Sequence, residues 1–156
     1  MRRLVASALA GVSSTLLMEQ ASTAIYQRQA PATREREEAL RTEMPTTVLA
    51  RKLAHLVGTD LDDETAPRLG AALHYGFGAS GGPVTLALVQ LGLGPLTAGL
   101  AVATAMAMVV DEAANTILGL TPPPGQFPLS THLRGFAAHL VYGAALGLLL
   151  AAGRDD

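Results

Sequence analysis

The chain has no cysteine and no tryptophan, and only three tyrosines and three phenylalanines among its 156 residues. Lack of cysteine removes disulfides, thiolate metal sites and cysteine nucleophiles together. So few aromatics offer no stacking platform for bases, and nucleic acid is not an expected partner. Charge is scarce as well: Asp, Glu, Lys and Arg make up 15% of the residues and sum to -2, which argues for no polyanion either. The sequence holds no G-x-S-x-G, no P-loop, no H-E-x-x-H and no dinucleotide fingerprint, so nothing marks it as an enzyme or as the holder of a cofactor.

Apolar residues fill that space. They make up 49% of the chain, mainly Ala, Leu and Val, and the mean hydropathy is +0.32. Four long apolar runs stand out, at 4–25, 69–93, 96–118 and 133–152. Each is about 20 residues or slightly more, which at 1.5 Å per residue matches a hydrocarbon layer of roughly 30 Å. The expected fold is an all-α integral membrane protein: one domain of four transmembrane helices in a lipid bilayer. A competing reading of the start, "MRRLVASALAG", is a cleaved signal peptide, against which the apolar run continues well past Ala10.

Most of the charge lies in the loop between the first two runs, about 27–66. Within it "PTTVLARKLAHLVG" puts Leu49, Leu53 and Leu56 on one helical face and Arg51, Lys52 and His55 on the other, with Gly58 able to end the helix. This is a short amphipathic helix, lying along the membrane surface or packed on the helix ends. "LGLGP" permits only a tight hairpin between the second and third runs. "GLTPPPGQFPLST" reads as a stiff strap in which Gly119 caps the third helix and Ser130 or Thr131 caps the fourth. Loop and strap share one side of the membrane. Arg2 and Arg3 favour cytoplasmic termini, although the first loop carries most of the basic residues.

The second run contains Gly70, His74, Gly78 and Gly82 at four-residue spacing, and the fourth contains Gly135, His139, Gly143 and Gly147 at the same spacing. Their predecessors match in kind. The first run has Ser7, Gly11, Thr15, Glu19 and Thr23, and the third has Gly99, Ala103, Ala107, Asp111 and Asn115. The chain therefore reads as two parallel-repeat helical hairpins, acid on the first helix and histidine on the second. The six glycines named are the expected packing positions, since small residues let helices approach where lipid removes any hydrophobic drive. A second register aligns "EQAST" with "EAANT", which pairs Glu19 with Glu112 rather than Asp111. Pro83 is expected to kink the second helix.

Glu19, His74, Asp111 and His139 fall at one depth, roughly 7 to 10 Å inside the loop face. A carboxylate in hydrocarbon costs about 2.5 to 3.5 kcal/mol on the gentler scales, so these groups should face the bundle interior and pair, acid with imidazole. Glu112, turned about 100° from Asp111 in an α-helix, is expected to meet a neighbouring helix or a second subunit. Three readings of the layer stand open: a structural register, a proton or ion path, and a metal site of Glu19, Asp111, His74 and His139. His55 and His132, at helix ends, are expected to be solvated, and Tyr26, Tyr75 and Tyr142 to be interfacial or packing residues.

The stretch "LGLTPPPGQFPLSTHLRGFAAHLVYG", through Gly119, Leu120, Thr121, Pro122, Pro123, Pro128, Leu129, His139, Leu140, Val141 and Tyr142, resembles the YagU-like family of bacterial inner-membrane proteins. It departs from that family at Asp111, where a His is expected. The resemblance implies a multi-pass protein of the bacterial inner membrane with cytoplasmic termini, and supplies no mechanism. The function expected is a small structural or stress-related membrane factor. The rival is a proton or metal-ion channel or carrier, alone or as a homo-oligomer.

Overall fold

Proline opens the helices that the loops feed. In the computed structural model, which describes residues 1–41 and 43–153, Pro31, Pro45 and Pro95 each stand in the first turn of a helix, where a missing N–H costs nothing. The order is α1 (Arg2–Gln27), α2 (Pro31–Leu40), α3 (Pro45–Leu56), α4 (Thr65–Gln90), α5 (Pro95–Ala105), a π-helical segment (Met106–Ala114), α6 (Asn115–Ile117), a 3-10 turn (Pro124–Gln126) and α7 (Leu129–Ala152). There is no strand among the described residues. The α5, π and α6 pieces form one continuous rod, Pro95–Ile117.

Three of these elements are long and apolar enough to cross a membrane: α1, the Pro95–Ile117 rod and α7. The fourth expected run, α4, falls short of that apolar measure. It has the length, but Gly70, Gly76, Gly78, Gly81 and Gly82, with His74 and Ser80, dilute its hydropathy. It also runs through Pro83 as one continuous helix. The charged loop is not a single amphipathic helix in coil, since α2 precedes α3.

Packing explains the glycines. Helix α1 lies between α4 and α7, and α7 packs on α5. A Cβ on Gly82 would overlap the Ser7 backbone, and one on Gly11 would overlap that of Gly78. On the other side of the bundle, a Cβ on Gly143 would stand 2.6 Å from Ala103 Cβ, and one on Gly147 would stand 2.7 Å from Leu96 Cα. These are backbone-on-backbone contacts that no larger residue permits. Two expected packing glycines behave otherwise. Gly70 meets α3, where its Cβ would lie 2.7 Å from Thr47 Cα, and Gly135 has nothing near it.

Most of the fully enclosed positions are small, Ser7, Ser14, Thr15, Thr85, Ala98 and Ala103 among them, with Tyr142 and Leu146 as the large exceptions. The hydroxyls of these small residues bond back into their own helices, Thr15 to Gly11 O at 3.0 Å and Thr85 to Gly81 O at 2.8 Å, so these hydroxyls are satisfied. Large side chains point outward instead: Leu9, Leu16 and Leu17 of α1, Val109 of the π segment and Leu148 of α7 are exposed. A water-soluble bundle has the reverse distribution.

Turns follow the chemistry expected of them. Gly58 and Gly119 take φ of 76° and 62° after α3 and α6, and the amides of Thr59 and Leu120 reach back to Ala54 O and Asn115 O at 3.0 and 2.7 Å, which is the Schellman closure. The start of α7 differs from expectation. Its N-cap is Pro128, and Ser130 and Thr131 lie inside the first turn with no capping bond. Helix α3 buries Thr47 and Ala50, while Leu53 and Leu56 face out. Its Lys52 Nζ donates to Leu118 O at 2.6 Å, tying α3 to the end of the Pro95–Ile117 rod.

Candidate functional site: an acid and imidazole cavity

At the loop end the helices separate around a cavity of about 860 Å³. Its floor is Tyr142, 1% exposed, whose hydroxyl donates to Gly78 O at 2.7 Å. Gly81 stands against that hydroxyl, where a Cβ would collide with it. Below Tyr142 the glycine contacts of α1 on α4 and of α5 on α7 close the bundle, so the cavity is blind at its inner end.

Two acid and histidine pairs line it. Glu19 Oε1 on α1 lies 3.2 Å from His74 Nε2 on α4. That nitrogen is out of line for a hydrogen bond and has no other partner, so the contact is an ion-pair approach only. The second carboxylate oxygen accepts from Tyr75 at 2.7 Å. Asp111 Oδ2, in the π segment, lies 3.7 Å from His139 Nε2 on α7. Asp111 also lies within electrostatic reach of His74, Glu112 and Arg41, so the two pairs face one space. The Glu19 and Asp111 side chains are 42% and 47% exposed, and both belong to the cavity wall.

A third pair was missed. His132 Nδ1 lies 2.7 Å from Glu112 Oε1, and its Nε2 lies 3.0 Å from Pro124 O in the strap. The expectation of a solvated His132 is corrected, whereas Glu112 meets a neighbouring helix, α7, which is one of the two expectations for it. In the π segment i→i+5 bonding puts more residues in each turn, and Asp111 and Glu112 both line the cavity. His55, by contrast, is exposed, with Asp60 3.3 Å away.

The hydrogen-bond partners constrain the protons. A carbonyl only accepts, so His139 Nδ1, 2.9 Å from Gly135 O, carries hydrogen. Its Nε2 then faces a carboxylate. His132 is held likewise between a carbonyl and a carboxylate. Neither carbonyl partner is visible as a sequence signal.

Above the pairs, α2 forms a roof. Glu37, 5% exposed, pairs with Arg134, 8% exposed, and accepts from Thr131 at 2.9 Å. Arg134 also donates to Gln29 Oε1 at 3.0 Å and sits over the Tyr26 ring. Tyr26 donates to Glu38, and Arg41 stacks on Phe127 of the strap. Outside the cavity, Arg51 ties the loop by bonds to Asp63 at 2.8 Å and Leu61 O at 2.7 Å. Those carboxylates, Asp63 first and then Glu43, push its guanidinium further up from the usual value.

Among the described residues no three of His, Asp and Glu converge as metal ligands. The four metal candidates Glu19, His74, Asp111 and His139 stand as two separate pairs, because they come from four helices spread around an open space. Comparison with family models, with characterised proteins and with solved structures gave no match.

Proposed function

We propose that the chain is an integral membrane protein whose loop-side cavity binds and releases protons through its acid and imidazole pairs, in the manner of a carrier rather than a pore. The observation that carries this is the double engagement of His132 and His139, each with one ring nitrogen on a carbonyl and the other turned to a carboxylate on the cavity. A group built only to fix register has no need of a cavity beside it. The blind inner end argues against a continuous pore.

Insertion in the bilayer as four helices, α4 included, is part of the proposal. Its support is the outward large side chains, the small-residue interior, and a recurrent arrangement. Gly82 on Ser7 and Gly78 on Gly11 have counterparts in Gly147 on Gly99 and Gly143 on Ala103, just as Glu19 with His74 has one in Asp111 with His139. That register favours Asp111 over Glu112 as the repeat partner of Glu19. The resemblance of the strap to the YagU-like family adds a bacterial inner membrane and cytoplasmic termini, which would turn the cavity to the outer face.

Proteoliposomes carrying an interior pH dye test the reading. Wild type is expected to pass a pH-dependent proton flux that His74→Gln with His139→Gln abolishes; no flux at any pH would sink it. A second reading, a structural or stress-related membrane factor, is favoured by the Tyr75 hydrogen bond to one oxygen of Glu19 while His74 approaches the other. On that reading the same substitutions lower thermal stability and change nothing else.

A further inference from the structure

The cavity is far larger than a proton requires, and its wall is of two kinds. Its volume of about 860 Å³ lies within the range of roughly 300–1,000 Å³ that houses drug-sized ligands. The inner part is apolar, formed by Met18, Phe77, Met106 and Tyr142. The rim above it carries the carboxylates Glu19, Glu37, Glu38, Asp111 and Glu112. The only guanidinium groups on the wall, Arg41 and Arg134, both lie against Glu37, at 3.9 Å for Arg41. Tyr26 and Tyr75 are committed to Glu38 and Glu19.

We propose that this cavity binds an amphipathic organic cation, an alkyl- or aryl-substituted ammonium or phosphonium, in exchange for protons held by the Glu19–His74 and Asp111–His139 pairs. The inference rests on the reading that protons reach the cavity. Three observations select the ligand class. A bare metal ion would lack a third ligating group and leave most of the space unfilled. An anion would meet five carboxylates and only two arginines, both beside Glu37. A neutral apolar molecule would desolvate the exposed carboxylate surfaces of Glu19 and Asp111 and offer them nothing in return. A cation with apolar substituents satisfies both zones, its charge between the carboxylates and its substituents against Met18, Met106 and the exposed face of Phe77. Charge balance sets the exchange: each cation that enters beside a neutralised pair expels a proton to the loop side.

The test is equilibrium dialysis of the full-length protein, in an uncharged detergent, against tetraphenylphosphonium. Saturable binding is expected, weakened about tenfold by Glu19→Gln or Asp111→Asn and weakened as pH falls from about 8 to about 5. No saturable binding, unchanged binding in the double variant, or equal binding of tetraphenylborate overturns the proposal. Should the variants lose their helical circular dichroism, wild type alone decides it: proton release into a weak buffer on binding supports the exchange, and binding without release overturns it. A protein that binds the cation with proton release yet passes no flux in vesicles keeps this inference and loses the transport reading. Flux without cation binding does the reverse.

Discussion

The Tyr142 hydroxyl donates to the Gly78 carbonyl at 2.7 Å, joining α7 to α4, two helices that otherwise scarcely touch. This bond separates the packed half of the bundle from the cavity. Tyr142→Phe keeps the ring and removes the donor, so a loss of about 1 kcal/mol is expected. Thermal denaturation in detergent should show it, with the helical content of the folded state unchanged.

Glycines of equal spacing should respond oppositely to one methyl group. Gly82→Ala drives a Cβ into the Ser7 backbone and is expected to cost roughly 1–3 kcal/mol or more. Gly135→Ala meets open space and should gain about 0.5–1 kcal/mol from the lost freedom of the unfolded chain. Melting temperatures of the two variants beside wild type would decide it; a destabilised Gly135→Ala would contradict the packing described.

Helix α2 is held over the cavity mainly by side chains, and Glu37 with Arg134 is its one enclosed ion pair. Removing one partner leaves a buried charge uncompensated, at about 3–5 kcal/mol for Glu37→Gln or Arg134→Met alone. The double change Glu37→Leu with Arg134→Met should recover much of it. Limited proteolysis reads the consequence directly: cleavage within residues 28–41 should quicken in the single variants and slow again in the double one.

Asp62 caps the entry to α4, its Oδ1 accepting from the amides of Thr65 at 2.6 Å and Glu64 at 3.1 Å. The Thr65 bonds hold its carboxyl below the usual value of 3.8. A depressed pKa means that this contribution is complete above the unfolded value, about 3.9, and is lost as pH falls through the lower folded one. Amide exchange in the first turn of α4 should therefore accelerate only at acid pH. Asp62→Asn keeps an acceptor and should erase that dependence.

The chain contains no cysteine, which makes its topology open to a single introduced thiol. Arg36→Cys on the exposed side of α2 should react with a membrane-impermeant maleimide added to intact cells if the cavity faces outward. Labelling only after lysis would reverse the proposed orientation.

Sequence alone determined much of this protein. Periodic Gly, Ser and Ala against long apolar runs sufficed for the long helices and for most of their close-packed positions, and gathered Glu19, His74, Asp111 and His139 into one set without saying which acid meets which histidine, because residues four apart share a helix face whatever surrounds them. It also determined the turns at Gly58 and Gly119, where local backbone conformation dictates the residue. Tertiary structure alone decided the rest. A π-helical segment cannot be read from "MAMVVDEAA", and the pairing of Glu112 with His132 was hidden with it. Likewise Arg134 and Glu37 sit far apart in sequence, in α7 and α2, which only the folded bundle brings together. The cavity itself is a property of helix separation, and no residue encodes it.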